Sequence, residues 1–149
     1  MSNYPWYRGW HEKYSTKGVT VVGIHSPETQ EEADLDRVRR KAKEHNLTYP
    51  IAIDNDFKTW KAWGNRYWPS TYLVDKKGRV RYRWDGELNW QGTKGEEIMR
   101  RKIEQMQKEV NEFMEYVKHE MKRGIDDWEQ RLSTALVKSS PTDLVRHQK

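Results

Sequence analysis

The sequence predicts an α/β domain followed by a C-terminal helical extension. Three observations carry that expectation. Strand-forming and helix-forming stretches alternate between Val19 and Trp84, as in sheets built with helical crossovers. Pro69 stands directly before the strand formers Thr71-Tyr72-Leu73-Val74, where a residue without an N–H marks a strand's start. A narrow apolar seam of helical spacing then runs through residues 103–132.

In chain order, residues 5–16 read as a helix. Pro5 suits a first turn, and Trp6, Trp10 and Tyr14 recur at every fourth position. Lys17-Gly18 ends it. Val19-Thr20-Val21-Val22-Gly23-Ile24 is the strongest strand signal, apolar nearly throughout, as in a parallel sheet covered on both faces. After the loop His25-Ser26-Pro27-Glu28, Ala33, Leu35, Val38 and Ala42 mark a helix to about His45. Ile51-Ala52-Ile53 is a short strand. Asp54 or Asp56 caps a short helix through Trp63, and Gly64 stops it. The strand after Pro69 ends at Asp75 and the turn Lys76-Lys77-Gly78. Its partner, Arg79 to Trp84, alternates basic with apolar residues and closes a hairpin with one wet face. Residues 85–92 form a loop.

A helix then starts near Thr93 to Glu96 and is expected to run from 95 to about 122, with Gly124 as its weak point. Its apolar positions are Ile98, Ile103, Met106, Val110, Met114, Val117, Met121, Ile125, Trp128 and Leu132. The portion beyond Val110 is expected to project or fold back and to need a partner for its seam. Ser139 onward, through Pro141, reads as a frayed tail.

Composition narrows the function. The chain has 149 residues, a net charge of +5 and 34% charged residues. Its 8 Trp and 8 Tyr make up for scarce aliphatic core formers. Residues 97–149 hold 11 Lys/Arg against 10 Asp/Glu, leaving 17 against 13 in residues 1–96, so neither part is a polybasic arm. Nothing demands nucleic-acid binding, and none is expected. There is no cysteine, which removes disulfides, thiol nucleophiles and Cys–metal sites, and leaves the compartment unreadable. No apolar run is long enough to span a membrane, and the N-terminus has no signal-peptide core.

Motif by motif, the plainer alternatives are preferred. His11-Glu12 opens like a zinc-protease helix, but position 15 is Ser. Asp54-Asn55-Asp56 opens like a calcium loop, yet Thr59 and Asn65 stand where Gly and Glu belong, so capping is preferred. Asn46-Leu47-Thr48 is a glycosylation sequon, relevant only to a secreted chain. His25 and Ser26 sit past the best strand, but no acid partner for a triad is identifiable, which favours a plain loop. Arg37, Arg39, Arg40, Lys41 and Lys43 read as a solvated helix face. Arg79, Arg81 and Arg83, interleaved with Tyr82 and Trp84, read as a half-exposed strand rather than a nucleic-acid platform.

Taken together, Pro5 to Tyr14 with Lys17-Gly18, Val19 to Glu28, Tyr49 to Asp54 with Trp60 to Trp63, and Tyr67 through Trp84 resemble the thioredoxin-like family. The resemblance is to its TlpA-type and AhpC/TSA-type (redoxin) domains and covers roughly residues 3–107. It implies a thioredoxin-like three-layer α/β/α sandwich over 1–107, with a helical extension and tail over 108–149. Such domains exchange thiols and disulfides through a Cys-x-x-Cys pair whose thiolate is stabilised at a helix N-terminus. A cis-proline facing the redox site pairs with an extended substrate segment. Only Pro69, with Trp68 before it, carries over as a substrate-binding position, and no catalytic, cofactor or metal residue is expected. In the family the cysteine pair lies shortly before the Pro5 position, and a core strand precedes it. Both would fall upstream of Met1, which implies an N-terminally incomplete fold. Thr71–Val74 and Val19–Ile24 must then pair with each other or leave facing edges unpaired, with marginal stability and association as the consequence. Two alternatives stay open: a truncated oxidoreductase, redox-inactive as it stands, or a non-catalytic protein-binding module. A protein or peptide partner, or self-association through the 103–132 seam, belongs to the second.

Overall fold

A computed structural model describes residues 3–138. The elements in order are α1 (Tyr4–Tyr14), β1 (Gly23–His25), α2 (Leu35–Glu44), β2 (Ile51–Ile53), α3 (Lys58–Ala62), β3 (Ser70–Val74), β4 (Val80–Asp85) and α4 (Gly95–Lys138). The chain divides into two compact units, Met1–Gln107 and Lys108–Lys149.

In the first unit, α1 begins with Pro5 in its first turn, buries Trp10 and Tyr14, and ends in a 3-10 turn over Ser15–Lys17. β1 and β2 pair in parallel with Gly23 opposite Ile51 and His25 opposite Ile53. α2 is the crossover between them. Asp34 caps it, accepting from Asp36 N at 2.8 Å and Arg37 N at 3.1 Å. β3 and β4 form the antiparallel hairpin, with Tyr72 opposite Arg83 and an irregularity between Leu73 and Val74. Its turn is locked by Asp75, which accepts from Lys77 N and Arg79 N and pairs with the Arg79 guanidinium at 2.7 Å. The Arg79 side chain and N–H hold the Asp75 carboxyl down at about 2. Gly78 takes φ 76°, which a side chain would resist.

The core gathers Trp10 and Tyr14 from α1, Leu88 from the loop after β4, and Met99 and Ile103 from α4. Tyr7, Val19, Val21, Leu73, Tyr82 and Trp84 pack against it. Leu88 carries no core signal in its loop setting, yet it is fully buried. Asn3, also buried, accepts the Leu88 N–H at 3.0 Å through Oδ1, and the Leu88 carbonyl accepts from Gly95 N and Thr93 Oγ1.

Two expectations about secondary structure need correction. Only Gly23 and Ile24 of the expected strand Val19–Ile24 lie in a strand, which extends instead to His25. A strand is defined by its ladder, and Val19–Val22 have no ladder partner among the described residues. Val19 and Val21 turn inward to the core, while Val22 is 54% exposed. The direct pairing considered between β1 and β3 does not occur: each belongs to its own two-stranded sheet. Ile24, Ile53 and Val74 are accordingly exposed. The second correction concerns α4, which runs unbroken past 122 and through Gly124 to Lys138. One glycine costs a helix only about 1 kcal/mol, and ion pairs such as Arg123–Glu120 and Arg131–Asp127 flank it. The tail from Ser139 lies outside the described residues. Among the described residues, no helix is long and apolar enough to cross a membrane.

Gly95 is where α4 starts against the hairpin. A Cβ there would sit 2.1 Å from the Leu88 carbonyl oxygen and 2.6 Å from the Trp84 ring. Gly95→Ala must displace backbone, and overpacking of this kind costs ~1–3 kcal/mol or more. Thermal unfolding of the variant should show a clearly lowered midpoint; an unchanged one would contradict this packing.

Candidate functional site

The surroundings of Trp68 and Pro69 are built on one carboxylate. Asp54 follows β2 and is buried. Its Oδ1 accepts from Thr59 N at 2.8 Å and its Oδ2 from Trp60 N at 2.8 Å, which caps α3. The same Oδ2 accepts from Ser26 Oγ at 2.9 Å, in the loop after β1. The Ser26 carbonyl in turn accepts from Trp68 Nε1 at 3.0 Å. Trp60, held at the α3 start, stacks on Trp68 with centroids 3.9 Å apart and planes at 19°. Thus Asp54 fixes the indole that precedes Pro69 from two directions.

The Trp68–Pro69 peptide bond is cis. Pro69 is half-buried, and its carbonyl accepts from Gly86 N at 2.7 Å. Next to it, Ser70 Oγ lies 2.9 Å from the Tyr67 carbonyl and 3.0 Å from Asp85 Oδ1, its single proton shared between the two acceptors. Thr71 Oγ1 meets the Tyr7 hydroxyl at 2.8 Å, tying β3 to α1. Burial pushes the Tyr7 phenol up, so it stays neutral. Tyr72 bonds Asn65 through its hydroxyl, takes the Trp63 ring on edge at 4.7 Å, and lies under the Arg83 guanidinium at 5.4 Å. Trp63, edge-on to Tyr72, and Tyr67, two residues before the proline, remain exposed.

The other residues weighed in the sequence fall into place around it. Ser26 does find an acid, Asp54, but His25 Nε2 is engaged with the Glu32 carbonyl at 2.8 Å. No Ser–His couple forms, so the arrangement is not a triad. Asp54 and Asp56 act as caps, Asp56 Oδ1 accepting from Lys58 N at 3.3 Å. Arg79 and Arg83 are paired with Asp75 and Asp85, and Arg81 lies 3.9 Å from Asp75. His11 stands edge-on to Tyr49, 6.0 Å between centroids. Among the described residues no three His, Cys, Asp or Glu converge as metal ligands. The sequence reading missed Trp60 as the stacking partner of Trp68 and Ser26–Asp54 as the bridge beneath it. Spacing within a helix or strand cannot signal contacts between separate loops.

A model of the AhpC/TSA family matches residues 2–83 of the chain. Protein DipZ of Mycobacterium bovis is 40% identical over 85 residues, which are 57% of this chain and 12% of that protein. Thiol-disulfide oxidoreductase YkuV of Bacillus subtilis is 32% identical over 78 residues, 52% of each chain. The chain therefore spans about half of YkuV and a small part of DipZ. Among solved structures, a thioredoxin-like protein in the oxidized form aligns with a TM-score of 0.61 at 25% identity, over 71% of this chain and 67% of its own. The fold is thus thioredoxin-like.

The titration of Asp54 supplies a test of its role. Burial pushes its pKa up, but the N–H groups of Thr59 and Trp60 and the Ser26 hydroxyl outweigh that, so the net direction is down. A carboxylate depressed in the folded state stabilises fully above its unfolded pKa. That contribution is lost as pH falls through the folded value. Asp54→Asn should therefore melt below the parent at neutral pH and lose less of its midpoint on acidification. Tryptophan-fluorescence melts from pH 7 downward read both effects, and parallel pH profiles would contradict the role.

Proposed function

Because the chain belongs to the AhpC/TSA family, we propose that residues 1–149 form the substrate-holding part of a thiol–disulfide exchange scaffold whose reactive sulfur lies outside them. The observation that carries this reading is the combination of an intact framework around Pro69 with no cysteine anywhere in the 149 residues. Exchange needs a thiolate to attack a disulfide sulfur. Methionine cannot replace it, because a thioether has no ionisable proton. The chain alone is redox-inactive in this reading, and Trp68 and Pro69 present a surface to an extended peptide. The name of YkuV, a thiol-disulfide oxidoreductase, supports the reaction class.

A second reading rests on the exposed Tyr67, two residues before the proline, and the exposed Trp63 against Tyr72. It makes the chain a non-catalytic protein-binding module on the same scaffold. Insulin-disulfide reduction with dithiothreitol as electron source separates the two. The 149-residue chain should give the blank rate. The chain extended upstream by a strand and a Cys-x-x-Cys segment should accelerate reduction at least ten-fold. Acceleration by the unextended chain overturns redox inactivity. An inactive but folded extended chain favours the binding module.

A further inference from the structure

The second unit carries a face that its own fold leaves open. Met99, Ile103, Met106, Val110, Met114, Val117, Met121, Ile125, Trp128 and Leu132 follow one another at intervals of 4, 3 and 4, a period of 11 residues. Eleven residues in three turns nearly match the α-helical pitch, so the apolar positions hold to one stripe instead of winding around the helix. Met99 and Ile103 are buried in the first unit's core, whereas Met114, Met121, Ile125, Trp128 and Leu132 are exposed. Helices of this length draw most of their stability from packing an apolar face.

We propose that the Val110–Leu132 face pairs antiparallel with the same face of a second copy, centred on Met121. The spacing from Val110 to Leu132 is 4, 3, 4, 4, 3, 4, which reads the same in both directions from Met121. An antiparallel pair about that centre sets Val110 against Leu132, Met114 against Trp128, Val117 against Ile125 and Met121 against itself. Every apolar position meets another, as a two-fold interface requires. Charge selects the same direction. Residues 108–120 hold 2 Lys/Arg against 4 Asp/Glu, and the residues they would face, 122–134, hold 3 against 3. Antiparallel pairing lays the acidic half on a charge-balanced one; parallel pairing lays acidic on acidic. Phe113 at the margin and Trp128 are 63% and 61% exposed, and with Met114, Met121, Ile125 and Leu132 they form an apolar strip that such a pairing would cover.

The absence of native cysteine makes the register directly measurable on the full chain. Sedimentation equilibrium should give twice the 18.0 kDa chain mass, and Met121→Glu with Ile125→Glu should return it to monomer with the helix signal retained. Under mild oxidation Met121→Cys should link to itself. Met114→Cys and Trp128→Cys should each remain unlinked alone, because like positions lie about 21 Å apart along the axes, beyond the ~5.5–6 Å Cα separation of a disulfide. Mixed, the two should link to each other. A monomer at every concentration overturns the proposal. Self-linking of all three variants to one extent shows a parallel pair and overturns it too, as does a dimer that none of the three variants links.

Discussion

Much of the first unit hangs on the Asp54 carboxylate. It is buried, and it accepts from two backbone N–H groups and one hydroxyl. A buried charge without such partners would be strongly unfavourable. Three separate pieces of chain therefore have to converge on it: the end of β2, the start of α3 and the loop after β1. Once they do, Trp60 and the Ser26 carbonyl are in place, and together they hold Trp68 by stacking and by a hydrogen bond. The orientation of the residue before Pro69 follows from a capping interaction more than ten positions upstream.

The sheet is the least self-sufficient part. Two two-stranded pieces stand apart, and a two-stranded unit is marginal in water by itself. What steadies β3 and β4 is the aromatic core below them, where α1 and the first turns of α4 bring Trp10, Tyr14, Met99 and Ile103 against Leu73, Tyr82 and Trp84. β1 and β2 have no comparable support, which is why Ile24 and Ile53 remain exposed. Polar ties take over there, the Asp54 N–H donating to the His25 carbonyl at 2.9 Å and Gly23 N to the Pro50 carbonyl at 2.8 Å.

Local patterns made much of this legible in the sequence. The Trp10 and Tyr14 spacing, the Asp34 and Asp54 caps and the Asp75 turn are short-range signals, and the structure places each where its chemistry says. Two failures share one cause. Val19–Val22 has every strand-forming residue, but strand formation depends on a neighbour that composition cannot reveal. Leu88 looks like a loop residue because its burial depends on Asn3, Trp10 and Tyr14, far away in sequence. The α4 boundary was missed for the opposite reason. Gly124 is a real local weakness, overridden by the helix formers and ion pairs around it.

The polar side chains around Pro69 serve the fold. Around Pro69 each candidate polar side chain is already engaged: Ser26 with Asp54, His25 with a carbonyl, Ser70 with Asp85, Thr71 with Tyr7. These hydrogen bonds tie the loop after β1, the start of β3 and α1 into one framework around the proline. What this framework fixes is the indole of Trp68 and the backbone at Pro69 that follows it. Thiol–disulfide exchange requires a thiolate, and the 149 residues contain no cysteine to form one.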